Sequence, residues 1–225
     1  MPVKVKICGI TNRIDGEAAV DLGADALGFN LWHGSKRYVD IRAEAGWIAA
    51  LPSKIFRVAV MVNPSEEEAE SVFALPYIDV VQFHGGEGEE FCSKFAGRAK
   101  PFIKAVALKD RSSCDQIERF QSTHILLDAF APGEFGGTGK TIDWDLAAGF
   151  VQTHPQLNVL LSGGLNPRNV RGAIQKVHPY GVDIASGVEQ RPGKKDYDLM
   201  KAFIAEAKAA ETASEGQGIS GPKSY

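Results

Sequence analysis

The sequence has few cysteines, and its acidic side chains outnumber its basic ones. Only three of the 225 residues are cysteine (Cys8, Cys92 and Cys114), and such a sparse, odd set is more typical of a reducing compartment than of a disulfide-bonded scaffold. The 28 acidic and 25 basic side chains leave a formal net charge of −3. A broad nucleic-acid-binding surface requires an excess of positive charge, so this class of protein is disfavoured.

Long apolar runs are also missing. The opening segment MPVKVKICGI has lysines inside its only apolar stretch and therefore lacks the apolar centre of a secretory signal peptide. No uninterrupted apolar run approaches the ~18–20 residues that a membrane-spanning helix requires. We therefore expect a soluble cytoplasmic protein, a monomer or homodimer, that binds neither nucleic acid nor membrane.

Short apolar segments alternate with helix-like segments along the whole chain. The apolar segments are rich in β-branched residues and apolar on both faces, as parallel strands covered by helices should be. They recur about every 25 residues, which is the length of one strand–helix unit. The eight segments are Val3–Ile7, Ala26–Leu31, Phe56–Val62, Val80–Phe83, Phe102–Val106, His124–Leu127, Val159–Leu161 and Val182–Ala185.

Eight consecutive units predict an α/β fold with a single (β/α)₈ TIM barrel, because an open doubly wound sheet usually needs only five or six strands. Helices are expected after each strand, among them one that opens with a capping box at Ser65–Glu68 and one near Ser113–Phe120. The barrel is assigned to residues 1–211. The Gly- and Ser-rich segment 212–225 is expected to be a flexible tail.

Three chemically reactive side chains stand at predicted strand ends, where barrels of this kind carry their active sites. Cys8 could be a catalytic thiolate or a small buried apolar residue. Asp128 follows an apolar segment, where burial favours the protonated carboxyl, so it could be a general acid or a loop cap. His84 also lies at a strand end. Arg37, on the second loop, could bind a substrate carboxylate or be a solvated arginine.

Two glycine-containing loops follow the seventh and eighth strands, SGGLNP at Ser162–Pro167 and ASGVE at Ala185–Glu189. Glycine lets backbone N–H groups approach an anion closely, and the recurrent phosphate site of these barrels lies on these two loops. We therefore predict a phosphate site here, although plain turns would show similar residues.

A third glycine-rich segment, Gly136–Thr141 (GGTGKT), ends like a nucleotide-binding P-loop. The P-loop motif requires a glycine five positions before the glycine that precedes its lysine. In this sequence that position is Glu134, so the segment does not match the motif. We interpret the segment from Gly133 to Thr141 as a flexible lid. No spacing of histidine, cysteine and carboxylate residues indicates a metal site, and Cys92 and Cys114 fall on predicted helices.

The residues at nearly every strand–helix turn resemble the phosphoribosylanthranilate isomerase family. The similarity extends in order from about Lys4 to Phe203. It departs from the family only slightly, with SKR for SPR, QFHG for QLHG and SGGL for AGGL. The matching segments are KVKICGITN (Lys4–Asn12), GADALGF (Gly23–Phe29), SKRYV (Ser35–Val39), VQFHGGE (Val81–Glu87), IKA (Ile103–Ala105), LLDA (Leu126–Ala129), GGTGKTIDW (Gly136–Trp144), SGGLNPRNV (Ser162–Val170) and GVDIASGVE (Gly181–Glu189).

This resemblance implies an Amadori rearrangement that needs neither cofactor nor metal. The substrate would be N-(5-phosphoribosyl)anthranilate and the product 1-(2-carboxyphenylamino)-1-deoxyribulose 5-phosphate, a step of tryptophan biosynthesis. Asp128 would be the general acid that opens the ribose ring, and Cys8 the general base that takes the C2′ proton. Arg37 would hold the anthranilate carboxylate. The remaining substrate-binding residues that the resemblance implies are His84, Gly163, Gly164, Asp183, Ser186 and Gly187.

Three other functions are also compatible with a barrel fold. Indole-glycerol-phosphate synthase and the aldose–ketose isomerases of histidine biosynthesis rest on a lysine or an aspartate pair, which the combination of Cys8 and Asp128 disfavours. A catalytically silent barrel that binds FMN or a phosphorylated ligand would leave Cys8, Asp128 and Arg37 unexplained, and a pure scaffold would leave the polar strand ends unexplained.

Overall fold

The computed structural model describes residues 2–113, 117–129 and 141–215. Its eight principal strands are β1 Lys4–Cys8, β2 Ala26–Asn30, β3 Phe56–Met61, β4 Val80–Phe83, β5 Phe102–Leu108, β6 His124–Ala129, β7 Asn158–Leu161 and β8 Gly181–Ile184. Each strand pairs in parallel with the next, and β1 also pairs with β8, so the sheet closes on itself. The predicted (β/α)₈ TIM barrel is confirmed.

Helices follow seven of the eight strands within the described residues. Their bounds are α1 Arg13–Asp21, α2 Ala45–Ala49, α3 Glu66–Phe73, α4 Glu89–Ser93, α5 Trp144–Thr153, α6 Val170–Val177 and α7 Tyr197–Glu215. The predicted capping box is present on α3, because Ser65 and Glu68 each accept a hydrogen bond from the backbone N–H of the other. None of the helices in the described ranges is both long and apolar enough to cross a membrane.

The connection from β5 to β6 differs from the sequence prediction. Instead of a helix near Ser113–Phe120 it contains two 3₁₀ turns, Arg111–Ser113 and Ile117–Phe120, on either side of residues that are not described. The Asp110 carboxylate accepts hydrogen bonds from the Ser112 hydroxyl and from the Ser113 backbone N–H. Such local side-chain bonds compete with helical backbone bonds and favour a turn.

Two further features were not predicted near the C-terminus. An antiparallel hairpin, β9 Glu189–Arg191 and β10 Lys194–Lys195, lies between β8 and α7. Helix α7 continues to Glu215 and so includes the first residues of the segment assigned to the tail. The rest of that segment lies outside the described residues.

The barrel is filled by apolar side chains that alternate along each strand. Those inside it are Val58, Val60, Val80, Ile103, Ala105, Leu126 and Leu160. A second, larger cluster packs the strands against the helices and includes Val5 and Ile7. Because successive side chains of a strand point to opposite faces, Lys6 and Cys8 on β1 must point into the barrel.

Ser65→Ala removes the capping hydroxyl of α3 and leaves an N–H group at the helix start without its partner. We expect the free energy of unfolding to fall by about 1 kcal/mol, measured by urea denaturation. Ser71→Ala, which removes an exposed hydroxyl bonded to the Glu68 carbonyl within the same helix, is the matched control. Equal losses in the two variants would contradict a specific capping role.

Candidate active site

A cavity opens at the C-terminal ends of the strands, where barrels of this kind carry their active sites. All nine site residues that the sequence predicts line it. Asp128 lies within β6 rather than after it, since the strand continues two residues beyond the predicted end. The nine are Cys8, Arg37, His84, Asp128, Gly163, Gly164, Asp183, Ser186 and Gly187.

Cys8 is the last residue of β1 and packs against the backbone of β2. A Cβ at Gly28 would lie 2.7 Å from the Cys8 Sγ, so only glycine leaves room for the thiol. Burial raises the pKa of the Cys8 thiol above its usual value, while Lys6 and Lys195 act in the opposite direction. The thiolate form of Cys8 therefore depends on these two cations.

Lys6 and Asp183 form an ion pair inside the barrel. Lys6 Nζ lies 2.7 Å from Asp183 Oδ1, and both side chains are almost completely buried. The Ser162 hydroxyl donates a longer bond, 3.4 Å, to the second Asp183 oxygen. Burial alone would lower the pKa of Lys6, but Asp183 and Cys8 more than offset this and raise it, so Lys6 carries its charge.

Asp128 and His84 face each other from β6 and the end of β4. His84 Nε2 lies 3.2 Å from Asp128 Oδ2, and the Ala129 backbone N–H donates to the other carboxyl oxygen at 2.8 Å. The buried Gln82 amide nitrogen lies 2.6 Å from His84 Nδ1. Since that nitrogen is a donor, Nδ1 accepts and Nε2 carries the hydrogen directed at Asp128.

The loop that holds His84 is fixed by a second buried ion pair. Lys104 Nζ lies 2.7 Å from Glu87 Oε2 and donates to the Gly85 carbonyl at 2.8 Å. Glu87 in turn accepts hydrogen bonds from the backbone N–H groups of Asn63 and Gly85. These contacts join the loops after β3 and β4 and restrict where the His84 ring can lie.

Arg37 is held by Glu189, which is also bound to Lys195, and the sequence did not single out Glu189 or Lys195 as a site member. Arg37 Nε and Nη2 bond to the two oxygens of Glu189 at 2.9 and 2.8 Å, a bidentate pair that raises the pKa of Arg37 further. Lys195 Nζ lies 2.9 Å from Glu189 Oε1 and also donates to the carbonyls of Cys8 and Ala185. Two cations and one carboxylate leave this cluster with one net positive charge beside Cys8.

The two predicted phosphate loops also line this cavity and contact each other there. Gly163 and Gly164 have φ of 81° and 65°, a backbone conformation that favours glycine. A Cβ at Gly187 would collide with the Leu165 carbonyl oxygen, so glycine also lets the two loops approach each other. Loops of this kind bind anions through backbone N–H groups.

Other sequence predictions concern the third glycine-rich segment, the two remaining cysteines and metal binding. The segment from Gly133 to Lys140, interpreted as a lid, and Cys114 lie outside the described residues. Cys92 is buried on α4, where burial raises the pKa of its thiol to about 11. Among the described residues, no three His, Cys, Asp or Glu side chains are grouped so that they could hold a metal ion.

Comparison with known proteins gives a consistent family. The family described as N-(5′phosphoribosyl)anthranilate (PRA) isomerase matches residues 5–206. The enzyme of that name from Pelobacter propionicus is 44% identical over 213 residues, which are 95% of this chain and 98% of the relative. A crystal structure of phosphoribosyl anthranilate isomerase from Thermotoga maritima is 41% identical with a TM-score of 0.82, over 92% of this chain and 99% of that one.

A second similar structure contains a ligand. It is phosphoribosyl anthranilate isomerase in complex with reduced 1-(o-carboxyphenylamino)-1-deoxyribulose 5-phosphate. It is 40% identical with a TM-score of 0.79 and covers 92% of this chain and 99% of that chain.

Glu189→Gln should destabilise the protein in a pH-dependent way. Burial raises the pKa of Glu189, but Arg37 and Lys195 lower it more, so it lies below its usual value of 4.5. A carboxyl whose pKa is lowered by folding contributes stability above its unfolded pKa and loses it as pH falls. We expect the difference in unfolding free energy between wild type and variant to be largest at neutral pH and to narrow below about pH 4.5.

The control for this comparison is Glu17→Gln, which removes an exposed ion pair with Arg13. Exposed pairs contribute about 0–1 kcal/mol, so its effect should be small at every pH. A Glu189→Gln difference that is constant from neutral to acidic pH would argue against the charge cluster.

Proposed function

The chain belongs to the N-(5′-phosphoribosyl)anthranilate isomerase family, and on this basis we propose which of its residues carry out the reaction. The protein is an isomerase of tryptophan biosynthesis. It converts N-(5-phosphoribosyl)anthranilate to 1-(2-carboxyphenylamino)-1-deoxyribulose 5-phosphate. The observation that supports the roles below is that a thiol and a carboxyl group line one cavity together with Arg37 and two glycine loops.

The first chemical step opens the ribose ring with Asp128 as general acid. Asp128 donates its proton to the ring oxygen O4′, the C1′–O4′ bond breaks, and the nitrogen lone pair forms a C1′=N iminium. The carboxylate that remains accepts the His84 Nε2–H and the Ala129 N–H. Hydrogen bonds to the ionised form stabilise it as it develops.

The second step removes the C2′ proton with Cys8 as general base. The Cys8 thiolate takes the proton, the C–H electron pair forms C1′=C2′, and the iminium nitrogen recovers its lone pair. The resulting enolamine then tautomerises, the C2′ hydroxyl losing a proton and C1′ gaining one. Substrate and product are isomers, so the cycle consumes no net proton and no oxidant or reductant.

The two anionic ends of the substrate determine its orientation. Arg37 binds the anthranilate carboxylate, because its cluster with Glu189 and Lys195 keeps one net positive charge at this side of the cavity. The phosphate binds to the loops that carry Gly163, Gly164, Ser186 and Gly187. Asp183, already paired with Lys6, completes the wall beside Cys8.

All the groups in this mechanism lie in the barrel assigned to residues 1–211, on one chain. We therefore propose that a monomer is sufficient for activity and that any homodimer would contain two independent sites. The need for a free thiol at Cys8 supports a reducing, cytoplasmic location. Activity per chain that is independent of protein concentration would agree with this proposal, while activity that falls on dilution would contradict it.

The activity is tested with purified protein by following the loss of phosphoribosylanthranilate fluorescence, with the substrate generated in situ. We expect Cys8→Ser and Asp128→Asn each to lower kcat by roughly 10²–10⁴-fold, the usual contribution of a general acid or base. Cys92→Ser, which changes a buried thiol outside the site, is the matched control. Wild-type turnover by either site variant would reject its assigned role.

Arg37→Lys tests the carboxylate site. Lysine keeps the charge but loses the planar, bidentate geometry that holds Arg37 on Glu189. We expect KM to rise at least about tenfold with a smaller change in kcat, because the interaction holds the substrate and not the reacting atoms. Lys36→Met, which removes the exposed neighbouring charge, should leave KM unchanged.

A further inference from the structure

Lys6 is a buried cation that the mechanism above does not use. It lies on β1 two residues before Cys8, so both side chains point into the barrel. Lys6 is 1% exposed and is not among the described residues that line the catalytic cavity. Burying an ammonium group is unfavourable unless anionic or polar partners compensate for the lost hydration.

Lys6 has two such partners. One is Asp183, 2.7 Å from Lys6 Nζ on the neighbouring strand β8. The other is the Cys8 side chain, which follows Lys6 by two residues on the inward face of β1 and favours the charged form of the ammonium. A thiolate at Cys8 would give Lys6 a second anionic partner beside Asp183.

Other charged groups also face Cys8. Lys195, from the β9–β10 hairpin, donates to the Cys8 carbonyl at 2.6 Å, and Arg37 lies beside it on the loop after β2. Asp183 acts against the thiolate because it has the same charge. His84 and Asp128 line the cavity from β4 and β6. Of the two cations that lower the pKa of Cys8, Lys6 has the larger effect.

We propose that Lys6 is a positioning residue of the reaction: its ammonium, held in place by Asp183, stabilises Cys8 as the thiolate that accepts the substrate proton. The proposal rests on the assignment of Cys8 as the general base. Lys6 acts through Cys8 and does not touch the substrate. Asp183 orients the Lys6 ammonium through an oxygen that an asparagine would retain, whereas its negative charge, which an asparagine lacks, opposes the thiolate.

A structural role for the Lys6–Asp183 pair makes a different prediction. If the pair only stabilises the barrel, removing either partner should loosen the interior and change the reactivity of Cys8 in the same direction. If the charges control the thiolate, Lys6→Met should make it harder to form and Asp183→Asn should make it easier to form. The two variants therefore separate the two explanations by the sign of the effect.

The experiment measures alkylation of Cys8 by iodoacetamide as a function of pH, with the Cys8 peptide quantified by mass spectrometry. The thiolate is the reactive form, so the midpoint of the profile reports its formation. An opposite charge within about 4–6 Å of a titrating group shifts its pKa by about one unit or more. We expect the Lys6→Met midpoint to rise by at least about one pH unit, with labelling near pH 7 about tenfold slower.

Two comparisons make the result interpretable. Lys4→Met removes a lysine from the other end of the same strand, where it pairs with Asp25, and should leave the midpoint unchanged. Cys92 in the same digest reports folding, because its buried thiol reacts rapidly only if the protein opens. If Lys6→Met does not fold, Asp183→Asn still tests the proposal through its opposite shift.

The kinetic profile separates this proposal from the assignment of Cys8. In Lys6→Met, kcat/KM should fall about tenfold near pH 7 and recover towards the wild-type value as pH rises. An unchanged labelling midpoint, or shifts of the same sign in the Lys6 and Asp183 variants, would overturn the role of Lys6. A shifted midpoint with unchanged kcat/KM would keep Lys6 as the group that stabilises the thiolate but would reject Cys8 as the base.

Discussion

The pairing of β1 with β8 closes the barrel, and the site depends on this closure. It brings Lys6 beside Asp183 although 177 positions separate them in the chain. The same closure brings the β9–β10 hairpin to the end of β1, where Lys195 donates a hydrogen bond to the Cys8 carbonyl. The proposed base Cys8, the cations Lys6 and Lys195 and the second predicted phosphate loop therefore come from the two ends of the sequence, and an open sheet would not bring them together.

Buried charge is the second common feature of the site. The protein has a net charge of −3, yet its substrate carries two anionic ends. Near Cys8 the local charge differs from the net charge, because the carboxylates there are each bound to cations: Asp183 to Lys6, and Glu189 to Arg37 and Lys195. Cations exceed carboxylates in this group by one. In a poorly solvated cavity such a small excess has a larger effect than the net charge of a solvated surface.

Several glycines of the recognised segments have a packing role next to the proposed site residues. Gly28 makes room for the Cys8 thiol, and Gly187 lets the loop after β8 pass the Leu165 carbonyl. Gly9, which has a positive φ, lies directly against the side chain of Arg37. A side chain at any of these positions would displace a group that we assign to the reaction, so the same residues support the fold and the site.

The sequence by itself determined the eight-stranded barrel, because the alternation of strands and helices is a local property of the chain. Strand-end position singled out Cys8, His84 and Asp128, while the assignment of all nine predicted site residues, which do line the cavity, rested on the resemblance to a known family. It did not reveal the 3₁₀ turns after β5, where the Asp110 and Ser112 side chains bond locally, or the β9–β10 hairpin. Only the tertiary structure identified Lys6, Glu189 and Lys195 as parts of the site. Glu189 lies 152 residues from Arg37, and Lys195 lies 187 from Cys8. No periodicity along a chain reports such pairs, because barrel closure alone brings them within hydrogen-bond distance.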